Sequence, residues 1–173
     1  GLMEYLAPFE LGTPLAIPTS AGERWCVWQE GVYELYPFQE GDTLGTLNSP
    51  QLASAGRRLA QFHRATRNFP SCKGKEWQRY HSPSSLRTAF EVNQAELRKR
   101  LSPQELLYLE AQTSLLERDF PDSCYHALPK IVVHGDYHPG NLKFCGEEVC
   151  GVFDLDWATL RSEEHTSELQ SQF

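Results

Sequence analysis

Residues 134–141, His-Gly-Asp-Tyr-His-Pro-Gly-Asn, gather two imidazoles, a carboxylate and a carboxamide directly after the apolar run Ile131-Val132-Val133. Gly135, Pro139 and Gly140 mark the stretch as a turn. A carboxylate held there, Asp136, can accept a proton from an attacking hydroxyl. The chain that follows supplies two more groups. Residues 141–154 read as a hairpin, and a tight turn at Glu147-Glu148 pairs Gly146 with Val149, Cys145 with Cys150, Lys143 with Val152 and Asn141 with Asp154. A four-residue loop gives the same register. Directly opposed residues on one face have Cβ atoms about 4.5 to 5.5 Å apart. This register therefore brings an amide oxygen and a carboxylate to the open end of the hairpin, while Leu142, Phe144 and Phe153 point into a core. Two hard oxygen ligands suit Mg²⁺, which keeps several waters and shares phosphate oxygens. A phosphate-bearing substrate is implied.

The surrounding elements must hold this turn and hairpin in place. Residues 24–28 and 31–36 are rich in aromatic and β-branched side chains, and an antiparallel pair joined near Gln29-Glu30-Gly31 is expected. Beyond Gly41-Asp42 the period changes. Ser49-Pro50 offers a cap and a first-turn proline, and Leu52, Ala55, Leu59 and Phe62 recur at helical spacing as far as about Ala65. A polar loop over 67–84 leads to a helix over 85–101. Ser102-Pro103-Gln104-Glu105 has the form of a capping box, with Leu106, Leu109, Leu116 and Phe120 striping the helix behind it. Strands first and helices second predict an α+β architecture of two lobes, with a ligand in the crevice between them.

Composition narrows the function classes. A chain of 173 residues with 40% hydrophobic content can build one core. The formal charge of -7 argues against a nucleic-acid partner, whose phosphates call for clustered Lys and Arg. The one mildly basic stretch, Lys73 to Arg79, reads as a solvated loop. No apolar run is long enough for a membrane span. Five cysteines without paired metal spacing are expected to be reduced thiols in a cytoplasm. Oligomeric state is not legible.

The pattern His-x-Asp-x-x-x-x-Asn, followed thirteen residues later by Asp, resembles the catalytic and metal-binding loops of the protein-kinase fold. The fuller wording VVHGDYHPGNLKF with GVFDLDWA resembles the aminoglycoside phosphotransferase and choline kinase-like family, which phosphorylates small molecules. The resemblance implies ATP and Mg²⁺ as cofactors and a small-molecule hydroxyl as acceptor. It implies Asp136 as catalytic base, His134 as a buttress of the loop, and Asn141 and Asp154 as ligands of the nucleotide-bound magnesium. VYELYPFQEGDTL resembles the strand and hinge that hold adenine, which implies Leu35 and Tyr36 as nucleotide contacts. Asp156 has no settled role, and His63 reads as a packed core histidine.

Residues 1–23 contain no glycine-rich strand-turn-strand and no strand lysine to pair with nucleotide phosphates. The expectation is an incomplete protein-kinase-like fold: residues 1–40 a remnant of the small lobe and hinge, 41–160 a partial large lobe, 161–173 a non-native tail. Arg161 to Ser171 resembles a translated sequencing adapter. By itself the chain is expected to be inactive. Two other classes compete: a metal-dependent phosphoesterase, suggested by Asp136-Tyr137-His138 and Gly140-Asn141, and a kinase-like protein that binds nucleotide without transferring phosphate.

Overall fold

The computed structural model describes residues 1–70 and 82–162. The basic stretch from Lys73 to Arg79, Cys72 and most of the tail lie outside the described residues. In chain order the elements are α1 (Leu2–Leu6), β1 (Cys26–Trp28), β2 (Gly31–Tyr33), α2 (Ser49–Thr66), α3 (Pro83–Arg100), α4 (Pro103–Asp119), α5 (Asp122–Ala127), β3 (Lys130–Val133), β4 (Leu142–Cys145), β5 (Glu148–Val152) and β6 (Thr159–Ser162). The strands form three antiparallel pairs, β1 with β2, β3 with β6 and β4 with β5. The α+β expectation holds, as does the hairpin at Gln29-Glu30.

Helix α2 organises the molecule. Its N-cap is Asn48, one residue before the expected Ser49. Asn48 Oδ1 accepts the Gln51 N–H at 2.9 Å and Gln51 Oε1 accepts the Asn48 N–H at 3.0 Å. This reciprocal capping box satisfies two backbone donors, whereas a Ser49 cap would leave Gln51 without its return bond. Ala55, Leu59 and Phe62 then fall on one stripe at helical spacing. Ala55 and Leu59 enter a core with Leu47, Tyr137, Leu142, Phe144, Val149 and Val152. Phe62 and Ala65 enter a second core with Leu6, Leu11, Val132, Leu155 and Ala158. His63 is buried on the same helix, as expected.

The expected capping box at Ser102 is present, with Glu105 N–H to Ser102 Oγ at 3.3 Å and Ser102 N–H to Glu105 Oε2 at 2.8 Å. Helix α4 packs along α3, where Arg87 Nε bonds Glu117 Oε2 at 3.0 Å. The α4 stripe is only partly covered: Leu106 and Leu109 are half-buried and Leu116 is exposed.

The β4–β5 hairpin corrects the sequence register. Its turn is Gly146-Glu147, with Gly146 at φ 69°, and Cys145 pairs with Glu148 rather than Cys150. Beyond Phe144–Val149 the register shifts so that Lys143 pairs with Gly151 and Leu142 with Val152, leaving Cys150 as the extra residue of a β-bulge. Cys150 is joined to Cys145 in a disulfide, Cα to Cα 5.8 Å, where free thiols were expected. Leu142 and Phe144 are buried as anticipated, and Phe153 partly so. β6 runs to Ser162, two residues into the segment read as a tail, and pairs Ile131 with Arg161 and Lys130 with Ser162. Backbone pairing of this kind is indifferent to side-chain origin.

Candidate functional site

Three buried residues lead the chain into the turn. Ile131, Val132 and Val133 are at most 2% exposed, so β3 is covered on both faces and ends at a fixed point. Thr66 Oγ1 at the end of α2 donates to Val132 O at 2.7 Å and ties the strand to the helix. His134 follows with no exposed surface. Its Nδ1 receives the Asp136 backbone N–H at 3.3 Å, so the neutral ring carries its proton on Nε2, which donates to Phe153 O at 2.8 Å. Burial pushes its pKa down to about 4, although the bond to Phe153 works in the opposite direction. A neutral imidazole thus joins the turn to the strand entering Asp154.

Gly135 permits the close approach that this joint requires. Its φ is +87°, and a Cβ there would lie 2.1 Å from Trp157 O. Tyr137 turns inward, 1% exposed, and its hydroxyl donates to Ala55 O on α2 at 2.8 Å. With Tyr137 and His134 both held inside, Asp136 and His138 between and beyond them remain partly exposed.

Asn141 ends the turn over Pro139–Asn141. Its Nδ2 donates both to Asp136 O at 3.0 Å and to Asp136 Oδ2 at 3.1 Å. Two acceptors on one nitrogen fix the amide orientation and leave Oδ1 as the oxygen available to a cation. The Asn141 backbone carbonyl accepts the Phe153 N–H at 2.9 Å, so the residue opposite Asn141 is Phe153 and not Asp154. The turn lies one residue earlier than expected, which alone would set Val152 opposite Asn141, and the bulge at Cys150 returns one residue to make it Phe153. Asp154 then leaves the hairpin in the left-handed conformation, φ 57° and ψ 66°, with an exposed side chain. A non-glycine residue in that region is strained, and such strain concentrates at functional positions.

The hairpin bearing Asn141 and Asp154 is clamped onto α2 at its far end. Ser54 Oγ donates to Glu148 Oε2 at 2.6 Å and accepts the Val149 N–H at 3.0 Å. Arg57 reaches Glu148 at 2.9 Å, and Arg58 donates to Val149 O at 2.8 Å. Ser54 first, and Arg57 second, hold the Glu148 carboxyl below the usual range. None of these clamping residues stands out in the sequence, since Ser and Arg on an exposed helix face are common.

The structure brings His134, Asp136, Asn141 and the backbone leading to Asp154 together. Leu35 and Tyr36 lie elsewhere. A cavity of about 540 Å³ is lined by Met3 and Glu4 of α1, Arg24, Glu34, Tyr36, and by Leu155, Asp156 and Ala158 just beyond Asp154. Tyr36 lines it, and its hydroxyl bonds Glu34 and the Met3 sulfur; burial first, and Glu34 second, raise its pKa. Leu35 is 67% exposed, and its carbonyl is taken by the Ile17 N–H at 2.7 Å. Asp156 shares the Tyr36 cavity, a neighbourhood that sequence spacing did not reveal.

Asn141 Oδ1 and the Asp154 carboxylate are hard oxygen donors of the type a divalent cation takes. Among the described residues no three His, Cys, Asp or Glu side chains converge, so a closed all-protein cage is not what this donor set offers. No described helix is long and apolar enough to cross a membrane.

Comparison with known proteins places the chain. The model of the phosphotransferase enzyme family matches residues 1–161. A homoserine kinase of Chelativorans sp. (strain BNC1) is 29% identical over 163 residues, covering 91% of this chain and 46% of that relative. A homoserine kinase of Nitrobacter hamburgensis is 30% identical over 160 residues with the same shares. The chain therefore spans about half the length of the curated relatives it matches. Among solved structures, the gentamicin–APH(2")-IIa complex superposes with a TM-score of 0.61 at 13% identity, covering 93% of this chain and 54% of that one. Spectinomycin phosphotransferase APH(9)-Ia, in complex with ADP and spectinomycin, gives 0.51 at 18% identity, with shares of 94% and 56%. These likenesses carry the protein-kinase-like fold, and the match over residues 1–161 carries the family: the chain belongs to the phosphotransferase enzyme family.

Proposed function

We propose that the protein containing this chain transfers the γ-phosphoryl group of ATP to the hydroxyl of a small molecule. Residues 1–40 then belong to its small lobe and hinge, and 41–160 to part of its large lobe. The observation that carries the reading is the pair of hydrogen bonds that Asn141 Nδ2 donates to Asp136. One amide nitrogen sets the direction of a partly exposed carboxylate while presenting the amide oxygen to a cation. His134 holds the Asp136 backbone and, through Phe153 O, the approach to Asp154.

Asp136 orients the acceptor hydroxyl and takes its proton as the new bond to phosphorus forms. Asn141 Oδ1 and the Asp154 carboxylate would hold Mg²⁺, which when bound neutralises charge on the phosphate oxygens. Leu35 and Tyr36 would lie beside the adenine; the exposure of Leu35 and the cavity beside Tyr36 favour that reading, with the Leu35 carbonyl already occupied by Ile17. Homoserine kinases among the relatives make homoserine the first acceptor to test, with other amino alcohols next. A cytoplasmic setting suits an ATP-dependent enzyme.

The test is ADP release by the gene product with Mg²⁺-ATP and homoserine, native against Asp136→Asn. The substitution should lower kcat by about 10² to 10⁴ while leaving Mg²⁺-ATP binding within a few-fold. Equal kcat in the two proteins would remove Asp136 from the reaction.

A further inference from the structure

We propose that His138 is a positioning residue that fixes which oxygen of Asp136 receives the acceptor proton. This rests on the phosphotransfer reading above. The His138 ring is half-buried, and its Nδ1 accepts the Gly140 backbone N–H at 3.1 Å. A nitrogen that accepts a hydrogen bond carries no proton, so the neutral ring bears its N–H on Nε2. That atom lies 3.5 Å from Asp136 Oδ2. Asn141 Nδ2 donates to the same oxygen at 3.1 Å.

The two oxygens of the carboxylate are therefore unequal. Oδ2 faces two N–H groups from residues on its own turn. Among the described residues no hydrogen bond or ion pair of this carboxylate falls on Oδ1, whose lone pairs are left to an incoming hydroxyl. The N–H groups facing Oδ2 occupy its lone-pair directions, so a hydroxyl seeking an acceptor is directed to Oδ1. The 3.5 Å separation is long for a hydrogen bond, and contacts of this kind tighten when substrate closes the site. Asn141 alone would leave the carboxylate able to rotate about its Cβ–Cγ bond. A second donor, from the opposite end of the same turn, opposes that rotation.

The ring has two tasks, the bond from Gly140 and the approach to Asp136, and two substitutions separate them. His138→Asn retains an acceptor near the Nδ1 position for Gly140 but no longer reaches Asp136. His138→Gln puts an amide N–H near the Nε2 position and gives up the short-range acceptor. Steady-state kinetics with Mg²⁺-ATP and homoserine, and the thermal midpoint, are measured for the native gene product, both variants and Asp136→Asn. His138→Asn is expected to lower kcat about tenfold with KM for ATP and the midpoint unchanged, and His138→Gln to recover kcat to within about threefold of native. Native kcat in His138→Asn overturns the proposal, and so does equal loss in both variants or loss in His138→Gln alone. Asp136→Asn separates the two failures: if it retains native kcat, the base assignment itself is wrong, whereas a dead Asp136→Asn beside a fully active His138→Asn sinks only the role of His138.

Discussion

Acidification should unfold this protein partly through one buried imidazole, His134. Its folded-state pKa is held near 4 by burial, against 6.5 for the exposed side chain. The unfolded chain therefore takes up the proton first. Stability from this group is fully present above about pH 6.5 and is lost as pH falls toward about 4. Between pH 7 and pH 5 the two values predict a loss of about 2 kcal/mol, reaching about 3 kcal/mol at pH 4. The lowered carboxyl groups, Glu4, Glu105, Asp119, Asp122 and Glu148, act in the same direction but chiefly below about pH 5, as their unfolded forms protonate. The window from 5 to 7 thus separates the imidazole from most of the carboxyl contribution, and comparison with a His134 variant separates it from the other histidines. The assay is urea unfolding of the native gene product and of His134→Asn at half-unit steps. Packing lost in the variant shifts its curve by a constant. The gap between the curves should narrow by about 2 kcal/mol on going from pH 7 to pH 5. Parallel curves would show that His134 titrates in the fold as it does in the unfolded chain, and a widening gap that it stays protonated in the fold; in either case the joint between Asp136 N–H and Phe153 O would be misassigned.

Two further substitutions probe how the turn is anchored. Gly135→Ala combines a left-handed φ with a Cβ 2.1 Å from Trp157 O, and should cost about 3 kcal/mol in urea unfolding; a loss under about 1 kcal/mol would contradict the close approach. Tyr137→Phe removes the hydroxyl that donates to Ala55 O and should cost about 1 kcal/mol, with hydrogen exchange accelerated in residues 135–141 before it changes in α4. An unaltered exchange pattern would show that the bond does not hold the turn.

The turn from His134 to Asn141 was readable because glycine, proline and chemically distinctive side chains coincide on it. The pairing of Asn141 with Asp154 was misread by one residue. The turn falls at Gly146-Glu147, one residue before the expected Glu147-Glu148, which moves the partner back by two, and a bulge, which has no compositional demand of its own, returns one. Gly151 beside Cys150 was the available mark, since glycine inside a strand often accompanies a bulge. The disulfide was missed for a different reason: the expected register already set Cys145 opposite Cys150, but five cysteines without paired metal spacing were read as reduced thiols. Helix α1 has five residues, too few for a periodic signal. Strand β6 was hidden because its last two residues carry a sequence that invited exclusion. The clamp of Ser54, Arg57 and Arg58 on the hairpin depends on contacts more than ninety residues apart in sequence, which no local pattern displays.

The pairing of β3 with β6 also bears on how the site comes into being during folding. Lys130 meets Ser162 and Val133 meets Thr159, so the two strands close a single loop that contains His134, Asp136, His138, Asn141 and Asp154. Nested inside it, β4 and β5 close a smaller loop. The entropy of closing a loop grows only with the logarithm of its length, and two short nested closures are quicker to achieve than one pairing across the whole chain. The proposed catalytic groups can therefore reach their mutual arrangement by local search, before the remainder of the molecule has docked. α2 then serves as the template on which an already formed unit settles, through Thr66, Ala55 and Ser54 in turn.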